Sequence, residues 1–193
     1  MKIYSFILPF LFISLASLTG RDPIEIDKQE AQNAFGLLQQ IRARPNDYSK
    51  ELDFPANLKV ASLQLKWNDT LAAAAEAKAF DMANRNYFAH IDPDGKGMNY
   101  HIQQKGYSLL SSWTSNKSDN YFESISANNS TGIDAIKSLI KDSQTPSLGH
   151  RKHLLGLDEW NASLSDIGIG FARRESGSTY QTYICVLIAK HSW

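Results

Sequence analysis

Soon after residue 26, apolar positions begin to recur with a helical spacing. Ala31, Ala34, Phe35, Leu38 and Ile41 fall three or four apart and form one stripe. Asp27, with Glu30 three residues on, has the form of a capping box, and Pro45 closes the segment. A second helix is predicted from Asp69 to Asn84, with Leu71, Ala75, Ala79 and Met82 on one face. Its run from Ala72 to Ala75 lets a neighbouring element come close, and Asp81 and Arg85 are spaced for a surface pair. Asp92-Pro93-Asp94-Gly95 reads as a turn, and Met98 to Lys105 as a helix stopped at Gly106. A fourth helix starts at Thr131, capped together with Asp134, and turns Ile133, Ile136, Leu139 and Ile140 inward until Pro146. A short helical turn is expected from Leu148 to Leu155.

Two segments carry a strand pattern instead. Ile167, Ile169 and Phe171 alternate with Gly168 and Gly170, so one face packs while the other admits a close backbone. Thr179 to Ala189 is apolar on both faces, as a central strand covered on each side would be. Tyr121 to Ser126 is a shorter candidate. Amphipathic helices around a fully buried strand predict a single three-layer α/β/α sandwich.

The first twenty residues stand apart from that domain. Lys2 precedes a short apolar run interrupted by Pro9, with small residues at Ser14 and Ala16, the pattern of a secretory signal peptide over residues 1–20. The run falls short of the roughly 20 apolar residues a membrane span needs, which speaks against an uncleaved anchor. The expected organisation is therefore a leader at 1–20 and one domain over 21–193, secreted or periplasmic and not membrane-spanning.

The 193 residues balance 20 basic against 20 acidic side chains, so no broad basic field exists to attract nucleic acid. The apolar share of 42% supports a packed core. A single cysteine excludes an intrachain disulfide and any zinc centre built on several thiolates, and Cys185, inside an apolar run, reads as a small core residue. Gly168-Ile169-Gly170 lacks the third glycine and the following helix of a dinucleotide loop, and neither a P-loop, a G-x-S-x-G elbow nor an H-E-x-x-H pair occurs. His150 and His153 stand three apart beside Leu154 and Leu155, which marks a packing face more than a joint metal site. His101 and His191 read as ordinary surface or packing histidines. The segment from Ser108 to Asn120, with an exposed Trp113, reads as a solvated loop.

Four titratable residues remain beside apolar or turn signals: His90 after Tyr87-Phe88-Ala89, Glu123 in a strand-like run, Asp142 at the edge of the fourth helix, and His150 after Gly149. A carboxylate beside an imidazole fixes its tautomer and raises its basicity, and two such pairs in one cleft can hold a cation.

These residues lie in fragments that occur in a telling order: Tyr87-Phe88-Ala89-His90, Glu123-Ser124-Ile125, Leu139-Ile140-Lys141-Asp142, Leu148-Gly149-His150-Arg151 and Ile167-Gly168-Ile169-Gly170. With Arg44-Pro45, Tyr48 and Leu65-Lys66-Trp67-Asn68 ahead of them, they resemble the CAP superfamily of cysteine-rich secretory, antigen 5 and pathogenesis-related 1 proteins, in its disulfide-free bacterial branch. The resemblance spans residues 31–189 and implies an α/β/α sandwich whose central cavity contains two histidines and two acids. His90 and His150 match the histidines, Glu123 the acid of the Gly-Glu-Asn-Ile motif, and Asp142 a position where many members carry Glu. Phe122 and Ser124 depart from that motif, and Leu139 stands where the family has Trp. Glu123 is nonetheless the only Glu between His90 and His150.

The resemblance implies a binding protein for a lipid, peptide or protein, with His90 and His150 holding zinc or another divalent metal and Glu123 and Asp142 behind or beside them. The alternative is a hydrolase in which a carboxylate-oriented histidine activates water. No nucleophile in a triad context is evident, so an activated water is favoured over a covalent route.

Overall fold

The computed structural model describes residues 22–61 and 64–191. The leader expected at 1–20 lies outside the described residues. Among those described, no helix is long and apolar enough to cross a membrane.

The sheet has the spatial order β1 (Glu25–Ile26), β4 (Asp166–Arg173), β5 (Thr182–Ala189), β3 (Glu123–Ala127), with β2 (Lys66–Trp67) parallel to the start of β4. The other pairings are antiparallel, and β4 and β5 match residue for residue from Asp166–Ala189 to Arg173–Thr182. Every residue of β5 is buried, as expected for the strand between β4 and β3. It starts at Thr182 rather than Thr179, because Thr179 to Gln181 turn into it through bonds to Asn86 and Asn128.

Helix α3 (Asp69–Arg85) lies on one face of the sheet. Asn68 caps it, its side chain accepting from the amides of Thr70 and Leu71. The alternation in β4 fixes how close it comes: the faces of Gly168 and Gly170 touch the α3 backbone at Leu71–Ala72 and Ala75–Glu76. The opposite pleat carries the buried Ile167, Ile169 and Phe171. On that side α1 (Lys28–Ala43) and α5 (Gly132–Lys141) pack on one another. Gly132 seats against Glu30, whose carboxylate accepts the Gly132 amide at 2.7 Å. The three-layer α/β/α sandwich is thus the architecture.

Further details differ from the sequence reading; among them, β3 spans Glu123–Ala127 where Tyr121 to Ser126 was expected, and α3 runs on to Arg85. Pro45 does more than end α1; it opens a one-turn helix, α2 (Pro45–Tyr48), as a first-turn proline can. Ile133 is 38% exposed, because Gly132, Ala135, Ile136, Leu139 and Ile140 supply the buried face of α5. α4 spans Met98–Gln104 and α6 Gly149–Leu155, each a residue shorter than expected. Trp113 is half-buried instead of exposed, because its ring meets Phe122 edge-on at 5.6 Å and Trp160, in α7 (Glu159–Ala162), at 5.4 Å.

The glycine contacts yield a test with an internal control. Gly170→Ala places a methyl against the backbone of Ala75 and Glu76, which has no side-chain freedom with which to yield, and is expected to cost about 2–3 kcal/mol or more. Gly36→Ala, within α1 and with nothing within 4 Å of the added methyl, is expected to stabilise by up to about 1 kcal/mol. Urea unfolding of the two variants should move the midpoints in opposite directions.

Candidate functional site

His90 lies beyond the end of α3. Asn86 closes that helix in the left-handed conformation, with φ 54°, its amide bonding to Met82. The chain then passes Tyr87, whose hydroxyl donates to Asp81 at 2.7 Å, while Arg85 grips both Asp81 oxygens at 2.8 Å. Beyond His90, Asp92 organises the turn by accepting from the amides of Asp94 and Lys96 and from His101 Nε2. Burial pushes the Asp92 carboxyl up, but these donors outweigh it and leave it below the usual range. The His90 ring is thus 44% exposed on a loop held at both ends.

Glu123 opens β3 with a side chain that is fully buried. Its Oε2 accepts from His90 Nδ1 at 2.6 Å and from Asn120 Nδ2 at 3.3 Å, and its Oε1 accepts from the Cys185 thiol at 3.6 Å. Burial, followed by the Glu123 charge, holds the Cys185 thiol well above its usual pKa, so it stays protonated.

Asp142 closes α5 in the left-handed conformation, φ 49°, which a short Asp tolerates better than most side chains. Its carboxylate caps the next helix: Oδ2 accepts from the His150 and Arg151 amides at 2.9 and 3.4 Å, and Oδ1 accepts from His150 Nδ1 at 2.8 Å. Burial raises its carboxyl, but the bonds from His150 and Thr145 lead the groups that hold it below the usual range. Arg151 fastens α6 to the end of α5 by donating to the carbonyls of Ile140 at 2.6 Å and Lys141 at 2.7 Å.

All four residues read from the sequence are therefore together. The His90 and His150 rings stand 6.5 Å apart between centroids, inclined by 30°. Both line a cavity of about 460 Å³ with Glu123, and Asn120, Thr145, Trp160 and Asn161 contribute further walls. Each imidazole turns Nδ1 to its carboxylate, which leaves Nε2 as the ring nitrogen able to take another partner. Those two nitrogens are the donors the pairs leave for a metal. Among the described residues no group of three or more His, Cys, Asp or Glu forms a metal cage, so the remaining ligands would come from solvent or a bound molecule. His101 and His191 do not line this cavity; they bond to Asp92 at 2.8 Å and Asp166 at 3.1 Å.

The sequence reading missed the cavity wall behind the pairs. His153 is buried, and its Nδ1 shares a hydrogen bond with the Ser124 hydroxyl, 2.7 Å away. Burial lowers its pKa to about 4, only partly offset by the Ile188 backbone, so it is neutral at pH 7. The departure of Ser124 from the family motif was the one signal that this wall is built differently.

Comparison with known proteins places the chain. The family model for the cysteine-rich secretory protein (CAP) family matches residues 35–188, and the chain belongs to that family. Its single cysteine is in keeping with a disulfide-free branch. Among solved structures it is similar to an extracellular protein of Bacillus anthracis that contains an SCP domain, at 23% identity and a TM-score of 0.54, over 85% of this chain and 41% of that one. It is also similar to an outer surface protein of Borrelia burgdorferi, at 13% identity and a TM-score of 0.54, over 88% and 98% of the two chains. No curated protein matches significantly.

The buried His153 predicts a pH dependence. An unfolded chain takes a proton on this residue near pH 6.5, the folded one only near pH 4, so the unfolded state binds more protons between them. His153 therefore stabilises fully above about pH 6.5, and its contribution falls by about 1.4 kcal/mol per pH unit down to about pH 4. Below that range the lowered carboxyls of Asp92 and Asp142 lose their contributions in turn. Urea midpoints at pH 7 and 4.5 should show a smaller acid loss in His153→Gln than in the parent protein.

Proposed function

We propose that this chain is an exported binding protein whose central cavity holds a divalent cation, zinc being the best chemical match, between His90 and His150. The observation that carries this reading is the pair of imidazoles facing one cavity, each with a buried carboxylate at Nδ1. Such backing fixes the tautomer and makes the opposite nitrogen a better donor. Two protein donors make an open centre, in which a bound cation would polarise an oxygen of whatever enters. Amide and hydroxyl side chains at Asn120, Thr145 and Asn161, beside Tyr121 and Trp160, suit the backbone of a peptide or a protein segment better than a lipid tail. An extracellular or periplasmic setting is supported by the signal-like first twenty residues and by the two structural neighbours, one an extracellular and one an outer surface protein.

A second reading, a hydrolase, is favoured by one feature. Glu123 is wholly buried behind a His90 ring that reaches solvent, the arrangement of an oriented general base. In that case His90 Nε2 takes the proton from an attacking water while Glu123 stabilises the imidazolium.

Isothermal titration of zinc tests the first reading. The parent protein should take up about one ion, and the His90→Ala, His150→Ala double variant none; identical isotherms would remove the metal from the proposal. For the second, turnover in a screen of peptide, ester and peptidoglycan substrates should fall at least about a hundredfold with Glu123→Gln. Activity that survives this change belongs to another site.

A further inference from the structure

Where β4 turns back into β5, the hairpin loop and the segment after β3 enclose a second cavity of about 850 Å³, larger than the central one and sharing no lining residue with it. Its walls include the amides of Asn128, Asn129 and Gln181, the hydroxyl of Thr179 and two guanidiniums, Arg173 and Arg174. Much of this wall is fixed in place. Asn128 Oδ1 accepts the Gln181 backbone amide at 3.0 Å, Asn129 Nδ2 donates to the Ser126 hydroxyl at 2.7 Å, and the Thr182 hydroxyl donates to the Asn129 carbonyl at 2.8 Å. Arg173 is committed as well, to Asp27 at 3.1 Å and to the Ser130 carbonyl at 2.9 Å.

Arg174 is not. It is 3% exposed and carries five N–H donors, yet its guanidinium makes one hydrogen bond, from Nη1 to the Ala83 carbonyl at 2.8 Å. Nε is wholly buried without an acceptor, Nη2 has none either, and among the described residues Arg174 forms no ion pair. The bond to Ala83 ties the hairpin to the last turn of α3, whose end offers only a partial negative charge. That bond accounts for a donor at this place but not for a full charge: a neutral side chain could reach the same carbonyl without burying a cation. The unused atoms are a matched pair. Nε and Nη2 form one edge of the guanidinium, the edge that takes a carboxylate side-on through two parallel bonds. Gly177, at φ 80°, carries the hairpin tip past that edge, with Nη2, Cζ and Nε 3.4 to 3.6 Å from where a side chain on it would begin.

We propose that Arg174 anchors a second binding site, which takes the C-terminal carboxylate of a peptide. The site is independent of the metal reading of the central cavity. One free guanidinium suits a singly charged group better than a phosphate, and Glu175, an acid on the same wall, further disfavours a dianion. Behind the carboxylate, a peptide presents N–H and C=O groups, and side-chain amides can answer both. Among the described residues no aromatic ring lines the cavity, so a sugar acid, which would bring the same carboxylate, finds no ring face to lie on. Because Nε is enclosed, a carboxylate seated on both nitrogens displaces the hairpin tip at Gly177.

The test is a titration of the protein with N-acetyl-alanyl-alanine, its C-terminal amide and glucuronate, read by NMR of the Arg174 Nε–H and the Gly177 amide. The peptide acid should move both signals and bind at least about tenfold more tightly than the peptide amide. Arg174→Lys, which keeps the charge and loses the two-pronged edge, should weaken binding of the acid by about tenfold or more. If that variant does not fold, Gln181→Glu takes its place, because a further carboxylate in the cavity should weaken binding of the acid by about threefold. No binding, equal affinities for acid and amide, an unmoved Arg174 Nε–H signal, or undiminished affinity in the variant overturns the inference. Glucuronate bound more tightly than the peptide acid overturns the assignment to a peptide.

Discussion

The structure depends on how closely α3 approaches β4. Two glycines, Gly168 and Gly170, remove the side chains that would otherwise hold the helix off the sheet, so backbone meets backbone at Ala72 and Glu76. Contact of this kind fixes both the depth and the rotation of α3. The segment with His90 starts where this helix ends. The position of one half of the cavity is therefore inherited from a packing event in the core. A side chain at either glycine would displace the chemistry along with the helix.

The other half is set independently. Asp142 ends one helix and starts another, and the carboxylate that satisfies the amides of α6 also orients His150. One residue thus serves as cap and as imidazole partner, and Arg151 ties the same two helices together through backbone carbonyls. The two imidazole–carboxylate pairs come from different supports, a loop against a strand and a cap against a helix. Their convergence on one cavity is a property of the whole sandwich.

Much of this was legible in the residues. The alternation of glycine with Ile167, Ile169 and Phe171 announced a strand with one face open to close packing, and the unbroken apolar run through β5 announced a central strand. Asp142 and His150 stood out because a titratable side chain at a helix end has a ready local use. Ser124 with His153, Arg174 and the role of Cys185 were not legible, because each depends on a partner 29 to 91 positions away in the chain. Ile133 and Trp113 were misread for related reasons: a helical stripe has edges that only its neighbours define, and an aromatic residue in a polar loop looks solvated until Phe122 and Trp160 close on it.

The protonated, fully enclosed thiol of Cys185 has a consequence for how this protein is held together. With no second cysteine in the chain and its one thiol buried and protonated in the folded protein, no intrachain disulfide holds the fold together and the native state offers no thiolate to an oxidant. Its cohesion comes from burial and hydrogen bonding, and a change of redox poise leaves those untouched.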